Sequence, residues 1–382
     1  MNLLYLVYFS SKSKNELGVL KKINNQIKAM EALGSKVDLC TLEDDKVLIT
    51  NRVDTNKVYI GSHFNIRTAM YIAIKKIFYV KQYDVVYIRF PGFVDLSFLK
   101  TLKYLHKNKA KIIIEIPTYP FKGELINNLK TNLKQGKFVR FATRLMAYSM
   151  HNLYSRFVKR YTKKIVTFMP YDKIWGIDVI ALDNGVNTDE CQVVNKNNHE
   201  GINMIVVANL AKWHGIDRVI NGLSDYYSNN AEVDVRLTVV GQTELCNELE
   251  KLAEQKKVNK YCFFVGSKNG NDLYNEYCNA DIAIGSLGMH RIGVLNGSTI
   301  KVKEYCSYGL PFVYSYNEKA IDDKFKYALK LRAVDDPINI GDVVAFYNDL
   351  NMTKVDSDFL HQFAIDNFSW INQMKEVVDA FY

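Results

Sequence analysis

Short apolar runs and amphipathic stretches alternate along almost the whole of this chain, and the alternation restarts once. Leu3–Phe9, Lys36–Leu42, Val85–Phe90, Lys111–Ile116, Lys164–Phe168 and Ile177–Leu182 have the length and content of buried strands. Between them, Leu17–Leu33, Ile66–Tyr83 and Leu96–Lys107 repeat apolar residues at helical spacing. A turn signal, Asp183-Asn184-Gly185-Val186, and a polar stretch to Glu200 follow. Then Met204–Val207, Arg236–Val240, Cys262–Val265, Asp281–Ile284 and Pro311–Tyr314 read as strands. Helices fit between them at Asp217–Tyr227, Glu244–Lys256, Asp272–Asn279 and Thr299–Tyr308. Such alternation predicts parallel sheets with helices on both faces. The fold class is therefore α/β, as two doubly wound, Rossmann-like domains with a ligand cleft between them, where strand ends gather.

A chain of 382 residues is comfortable for two domains. Its 48% hydrophobic and 24% charged residues are those of a soluble globular protein. The six cysteines are scattered, with no Cys-x-x-Cys pair and no His-Glu-x-x-His, so they read as small buried hydrophobes in a reducing compartment and no metal site is predicted. Apolar runs stop at strand length, far short of the roughly 20 residues a membrane span needs. The N-terminal apolar run lacks a basic leader and a cleavage site, and reads as a first strand. The predicted location is cytoplasmic.

Charge is concentrated. Between Phe121 and Lys164, eleven lysines and arginines face one acid, Glu124, so this window holds about +10 of a chain whose net charge is +9. Phe138, Phe141, Met146, Tyr148, Tyr154, Phe157 and Tyr161 interleave with the cations. A basic, aromatic helix across 136–164 predicts contact with an anionic membrane surface. A solvated face on a packed helix is the plainer alternative. No nucleic-acid motif accompanies the charge, so nucleic acid is not an expected partner.

The candidate site is the segment Leu287 to Pro311. A strand-like run, Ala280–Gly285, precedes it; a small-residue turn, Asn296-Gly297-Ser298-Thr299, opens a helix; Gly309-Leu310-Pro311 closes it. A helix N-terminus after such a turn offers free N–H groups and the positive dipole end to a phosphate. Glu304, one turn further in, is placed to accept hydrogen bonds from sugar hydroxyls. Strand–turn–helix units are common in α/β proteins, so the segment alone also fits a purely structural role. The first strand–helix loop, Ser10–Glu16, is not a Gly-x-Gly-x-x-Gly turn, which disfavours a dinucleotide there.

Several signatures in order give the chain a resemblance to GT-B glycosyltransferases of the retaining group 1 (family 4) type, from about Asn184 to Tyr382. They are Asn184-Gly185-Val186, the strand–loop–helix Val207–Ile220, Leu237–Gly241, Phe263–Gly266, Tyr277–Asp281, Glu304 five residues before Gly309, and Phe368-Ser369-Trp370. The resemblance implies domains at 1–183 for the acceptor and 184–366 for a nucleotide sugar, with 367–382 as a helix crossing back to the first domain. It implies a transferase that needs no cofactor beyond its nucleotide-sugar co-substrate. The chain departs from the family where the first glutamate of the Glu-x7-Glu pair is Asn296, and where the basic pair falls on Asn209 and His214 with Lys212 nearby. Expected catalytic residues are Glu304, Asn296, His290 and Lys212. Expected donor contacts are Gly297, Ser298, Thr299, Lys301, Arg291, Asn209, Gly266 and Ser267. The loop after the strand ending at Glu115 places Glu115, Thr118 and Tyr119 on the acceptor side. The basic helix implies a membrane-anchored glycan acceptor in surface-polysaccharide synthesis, at the inner face of the cell membrane. A non-catalytic sugar-nucleotide-binding subunit and a sugar-nucleotide epimerase are the alternatives.

Overall fold

The computed structural model describes residues 1–10, 17–43, 46–51, 54–61, 66–117, 119, 138–188, 191–229, 231–322 and 324–381. Thr118 and the stretch 120–137 of the basic window lie outside the described residues, as do the loop 11–16 and the side chains of 138–144. The chain divides into two compact units, Met1–Asp183 with Trp370–Tyr382, and Asn184–Ser369.

The first unit is built on nine strands in the order β4-β3-β2-β1-β5-β6-β7-β9-β8. These are β1 (Asn2–Leu6), β2 (Lys36–Glu43), β3 (Lys46–Thr50), β4 (Thr55–Tyr59), β5 (Val85–Arg89), β6 (Lys111–Ile116), β7 (Lys164–Thr167), β8 (Lys173–Ile174) and β9 (Ile177–Ala181). Strands β1, β2, β5, β6, β7 and β9 are parallel, while β3, β4 and β8 add antiparallel edges. The edge strands escape the sequence reading because they are short and half-exposed, without a continuous apolar run. The period-2 geometry of β1 divides the core. Leu4, Leu6 and Tyr8 pack with α2 (Ile66–Val80) and α3 (Leu96–Lys107). Leu3, Tyr5 and Val7 pack with α1 (Leu17–Ala32) and the last helix. The basic segment forms α4 (Phe138–Val158).

The second unit has a six-stranded, all-parallel sheet in the order β12-β11-β10-β13-β15-β17. Its strands are β10 (Ile202–Val207), β11 (Val235–Val240), β12 (Cys262–Gly266), β13 (Ile282–Ile284), β15 (Phe312–Tyr314) and β17 (Ala328–Lys330). Between them lie α5 (Ile216–Ser228), α6 (Glu244–Gln255), α7 (Gly270–Cys278) and α8 (Ile300–Ser307). A separate pair, β14 (Asn296–Gly297) with β16 (Asn317–Glu318), holds the turn before α8. The chain starts at the centre of the sheet, builds outward to β12, then reverses to β13. Strands β10 and β13 therefore flank the switch point, and open sheets of this kind bind ligands there, at the C-terminal strand ends.

Two helices that the periodicity does not reveal follow, α9 (Ile340–Leu350) and α10 (Lys354–Phe368). Both carry start signals. Asn339 accepts the N–H of Gly341, and Thr353 and Asp356 form a reciprocal capping box. The last helix, α11 (Trp370–Asp379), belongs to the first unit and buries Trp370, Met374, Val377 and Val378 against Ile23 and Met30.

Candidate functional site

At the switch point the loop after β10 and the loop after β13 are tied edge to edge. Leu287 N–H donates to the His214 carbonyl and Gly288 N–H to the Trp213 carbonyl, each at 3.0 Å. A Cβ on Gly288 would lie 2.9 Å from the Lys212 carbonyl oxygen, so this approach requires glycine. Gly215 takes a left-handed φ of 68° to turn the first loop into α5. Arg218, buried on α5, ties three carbonyls: Leu287, Asp336 at 2.8 Å and Arg332 at 3.1 Å. Burial, then the nearby Arg291, lowers its pKa. The five fixed donors of a guanidinium suit this role.

Arg291 is also bound into the scaffold. It grips Asp217 with two bonds of 2.8 Å, Asp335 with one of 2.6 Å, and the Lys212 carbonyl with one of 2.9 Å. Those bonds raise its pKa. His290 Nε2 meets the same Asp335 at 3.1 Å, while its Nδ1 is buried with no hydrogen-bond partner. The Asn209 and Lys212 side chains face solvent.

The turn before α8 is set by a lysine the sequence reading did not single out. Lys303, 0% exposed, donates to Ser298 Oγ at 2.6 Å and to the Asn184 carbonyl at 3.1 Å. Asn184 Nδ2 in turn donates to the Ser298 carbonyl at 3.3 Å. Its readable signal was a lysine on the helix face it shares with buried Cys306 and Ser307. Asn296 is exposed, and its side-chain oxygen accepts from Asn317 at 2.9 Å. Thr299 N–H donates to Glu318 Oε2 at 2.9 Å, and its hydroxyl bonds to that of Tyr316, which also donates to Glu318. A carboxylate of the protein thus sits on the Thr299 amide, one residue before the first turn of α8. Tyr305 roots the helix in the sheet by donating to the Ile284 carbonyl at 3.0 Å.

Lys301 stands apart from these occupied groups. Its Nζ is buried with no hydrogen-bond partner. Burial pushes its pKa down to about 7 against the partial support of Glu304, one turn further along α8. Across from it, burial and the Lys301 charge hold His214 down to about 3. His214 Nδ1 accepts the Ala211 N–H at 2.9 Å, so the neutral ring carries its proton on Nε2. An ammonium so placed lacks a hydrogen-bonded anion, and the first turn of α8 adds the positive end of its dipole.

The remaining candidates lie elsewhere. Gly266 and Ser267 end β12, two strands from the switch point; the Gly266 carbonyl accepts Gly241 N–H at 2.9 Å, and Ser267 is exposed. In the first unit, Glu115 is 0% exposed and bonded to Arg89, to Tyr87 and Gln26 at 2.8 Å, and to Tyr5 at 3.5 Å. Tyr119 packs edge-on against Tyr171 at 5.2 Å. All six cysteines are free, five of them buried. Among the described residues, no three His, Cys, Asp or Glu side chains form a possible metal set.

Residues 187–325 match the family model of the glycosyl transferases group 1. Solved structures share the whole fold at low identity. A glycosyltransferase from Rickettsia africae ESF-5 has 13% identity and a TM-score of 0.68, with 100% of this chain and 97% of that one covered. The catalytic domain of starch synthase IV from Arabidopsis thaliana, solved with ADP and acarbose, has 9% identity and a TM-score of 0.61, with 100% and 98% covered. Anabaena HepE, solved with UDP and glucose, has 11% identity and a TM-score of 0.55, with 99% and 98% covered. No curated protein matches the sequence. The fold is GT-B, and the part of the second unit from 187 to 325 is similar to the group 1 glycosyl transferases.

Proposed function

We propose that this enzyme transfers a sugar from a nucleotide-sugar donor, with retention of configuration, to a glycan acceptor anchored in a membrane. The buried, unpartnered Lys301 at the switch point of the second unit carries this reading. A donor's diphosphate would give Lys301 its missing anion. Amide groups at the start of α8 would add preorganised donors for the charge that develops on the leaving phosphate. In the retaining reaction the bond from the sugar's anomeric carbon to the phosphate oxygen breaks as the acceptor oxygen bonds to the same face of that carbon. The acceptor's proton passes to the departing phosphate. Glu304 would hold the ribose hydroxyls and Asn296 a donor-sugar hydroxyl. Ligands in the solved relatives, ADP in one and UDP in another, support a nucleoside diphosphate.

Helix α4 supports the membrane half of the reading. Leu145, Met146 and Leu153 are 46%, 65% and 49% exposed, and Arg156, Lys159, Arg160 and Lys163 also face solvent. Among the described residues no helix is long and apolar enough to cross a membrane. An exposed apolar row beside cations fits reversible docking, worth about 1 kcal/mol per cation near an anionic leaflet. The enzyme would then act from the cytoplasmic face. Thermal-shift screening of nucleotide sugars, followed by turnover on membrane extracts, tests the assignment. Stabilisation by one nucleotide sugar but not by its free nucleoside is the expected result. Stabilisation by none would refute the donor reading. Reversal of Arg156 and Lys159 to glutamate should release the enzyme from anionic vesicles, and retention on them would refute the docking reading.

A further inference from the structure

A basic feature that shares Arg160 and Lys163 with the α4 face lies where β6 and β7 of the first unit's sheet begin. Lys111 opens β6 and Lys163 precedes β7. Between them is an open cavity of about 500 Å³, lined by His106, Lys109, Lys111, Arg160, Tyr161, Thr162 and Lys163 among others, with no acid among the described residues of its lining. Three helices end nearby: α3 at Lys107, α4 at Val158 and α11 at Asp379. Helix C-terminal carbonyls attract cations, and this accounts for two of them. Lys163 Nζ donates to the Ala380 carbonyl at 2.7 Å and Lys111 Nζ to that of Phe381. Each ammonium keeps two further N–H donors. Lys109 and Arg160 contact neither carbonyl, and none of the four cations makes an ion pair with a described residue.

The second observation is independent of charge. Thr162 is 7% exposed, and its hydroxyl is buried with no hydrogen-bond partner. Burying a hydroxyl unpaired is costly, and native proteins rarely leave one so. A ligand with acceptor oxygens would satisfy it while balancing the cations.

From these we infer that the cavity formed by Lys109, Lys111, Arg160, Thr162 and Lys163 is a phosphate-binding site, separate from the donor site of the second unit. Phosphate supplies the acceptor oxygens and charge that this lining lacks, and Arg and Lys are its usual partners. The phosphate belongs either to a lipid headgroup or to a small soluble phosphate. Arg160 and Lys163 continue the exposed basic face of α4, so both sources can reach it.

Glycerol 3-phosphate, titrated calorimetrically against the whole protein, and flotation on phosphatidylcholine vesicles with or without phosphatidic acid separate the sources. The Thr162→Val variant removes the hydroxyl at nearly constant shape and should weaken binding by about 2- to 12-fold. Lys109→Gln combined with Arg160→Gln should weaken it on the order of 100-fold. Melting temperature and UDP or ADP binding should stay as in the wild type. Glycerol 3-phosphate binding that both variants weaken identifies a soluble phosphate ligand. Binding only to phosphatidic acid vesicles, weakened in both variants, identifies a headgroup. The inference is overturned by absence of binding to either probe, or by binding that Thr162→Val leaves unchanged.

Discussion

Replacing Lys301 with methionine separates a binding lysine from a structural one. In the folded chain its pKa falls from 10.5 to about 7, and at 1.36 kcal/mol per pH unit this costs on the order of 4–5 kcal/mol below about pH 7, where both states are protonated. The sign follows from proton binding. Between about pH 7 and 10.5 the unfolded state holds the proton that the folded state releases, so wild-type stability rises with pH across that window. Below pH 7 both states are protonated and the whole cost remains. Methionine has no such cost and fills a similar volume. Lys301→Met should therefore raise the melting temperature at pH 6, by on the order of 10 °C at the upper limit for a unit of this size, and the gap should close toward pH 10. The same variant should weaken UDP or ADP binding by about 10- to 150-fold, the worth of a charged hydrogen bond, and leave nucleoside binding unchanged. Thermal melts across pH 6–10 with calorimetric titration read both effects. Parallel wild-type and variant pH profiles, or a less stable variant, would refute the burial argument. Equal losses for nucleoside and nucleotide would remove Lys301 from the diphosphate.

Glu304→Ala should lose about 1.5–3 kcal/mol of nucleotide affinity without unfolding, and unchanged affinity in calorimetry would exclude it from the site. Asn296 is exposed, so Asn296→Glu should melt as the wild type does and change donor choice or rate in a turnover assay; an insoluble product would contradict its exposed setting. Arg291→Ala should cost only about 1 kcal/mol in a urea melt, because its partners Asp217 and Asp335 are solvent-screened. A larger loss of diphosphate than of nucleoside affinity would show that Arg291 reaches the ligand as well. Glu115→Gln strips the buried partner from Arg89 and should cost roughly 3–5 kcal/mol of stability; full stability with lost turnover would instead assign Glu115 to the acceptor.

The sequence by itself determined the fold class and its division, because each depends on local periodicity. Apolar runs such as Leu3–Phe9 and Met204–Val207 cannot be half-exposed, so they had to be central strands. The turn before α8 and the helix itself were legible for the same local reason. Edge strands β3 and β4, and helices α9 and α10, gave weaker signals, since their apolar faces are narrow or interrupted. The states of the cations were a matter for tertiary structure alone. Arg291, Lys301 and Lys303 are equivalent charges in one dimension, yet one is held by two carboxylates, one has no partner, and one clamps the Asn184 and Ser298 backbone and hydroxyl. Glu115 likewise ends a strand in a promising loop, but two other strands and a helix supply the groups that enclose it. Burial and pairing are sums over neighbours distant in sequence. They set whether a charge is available to a substrate, and no local pattern encodes them.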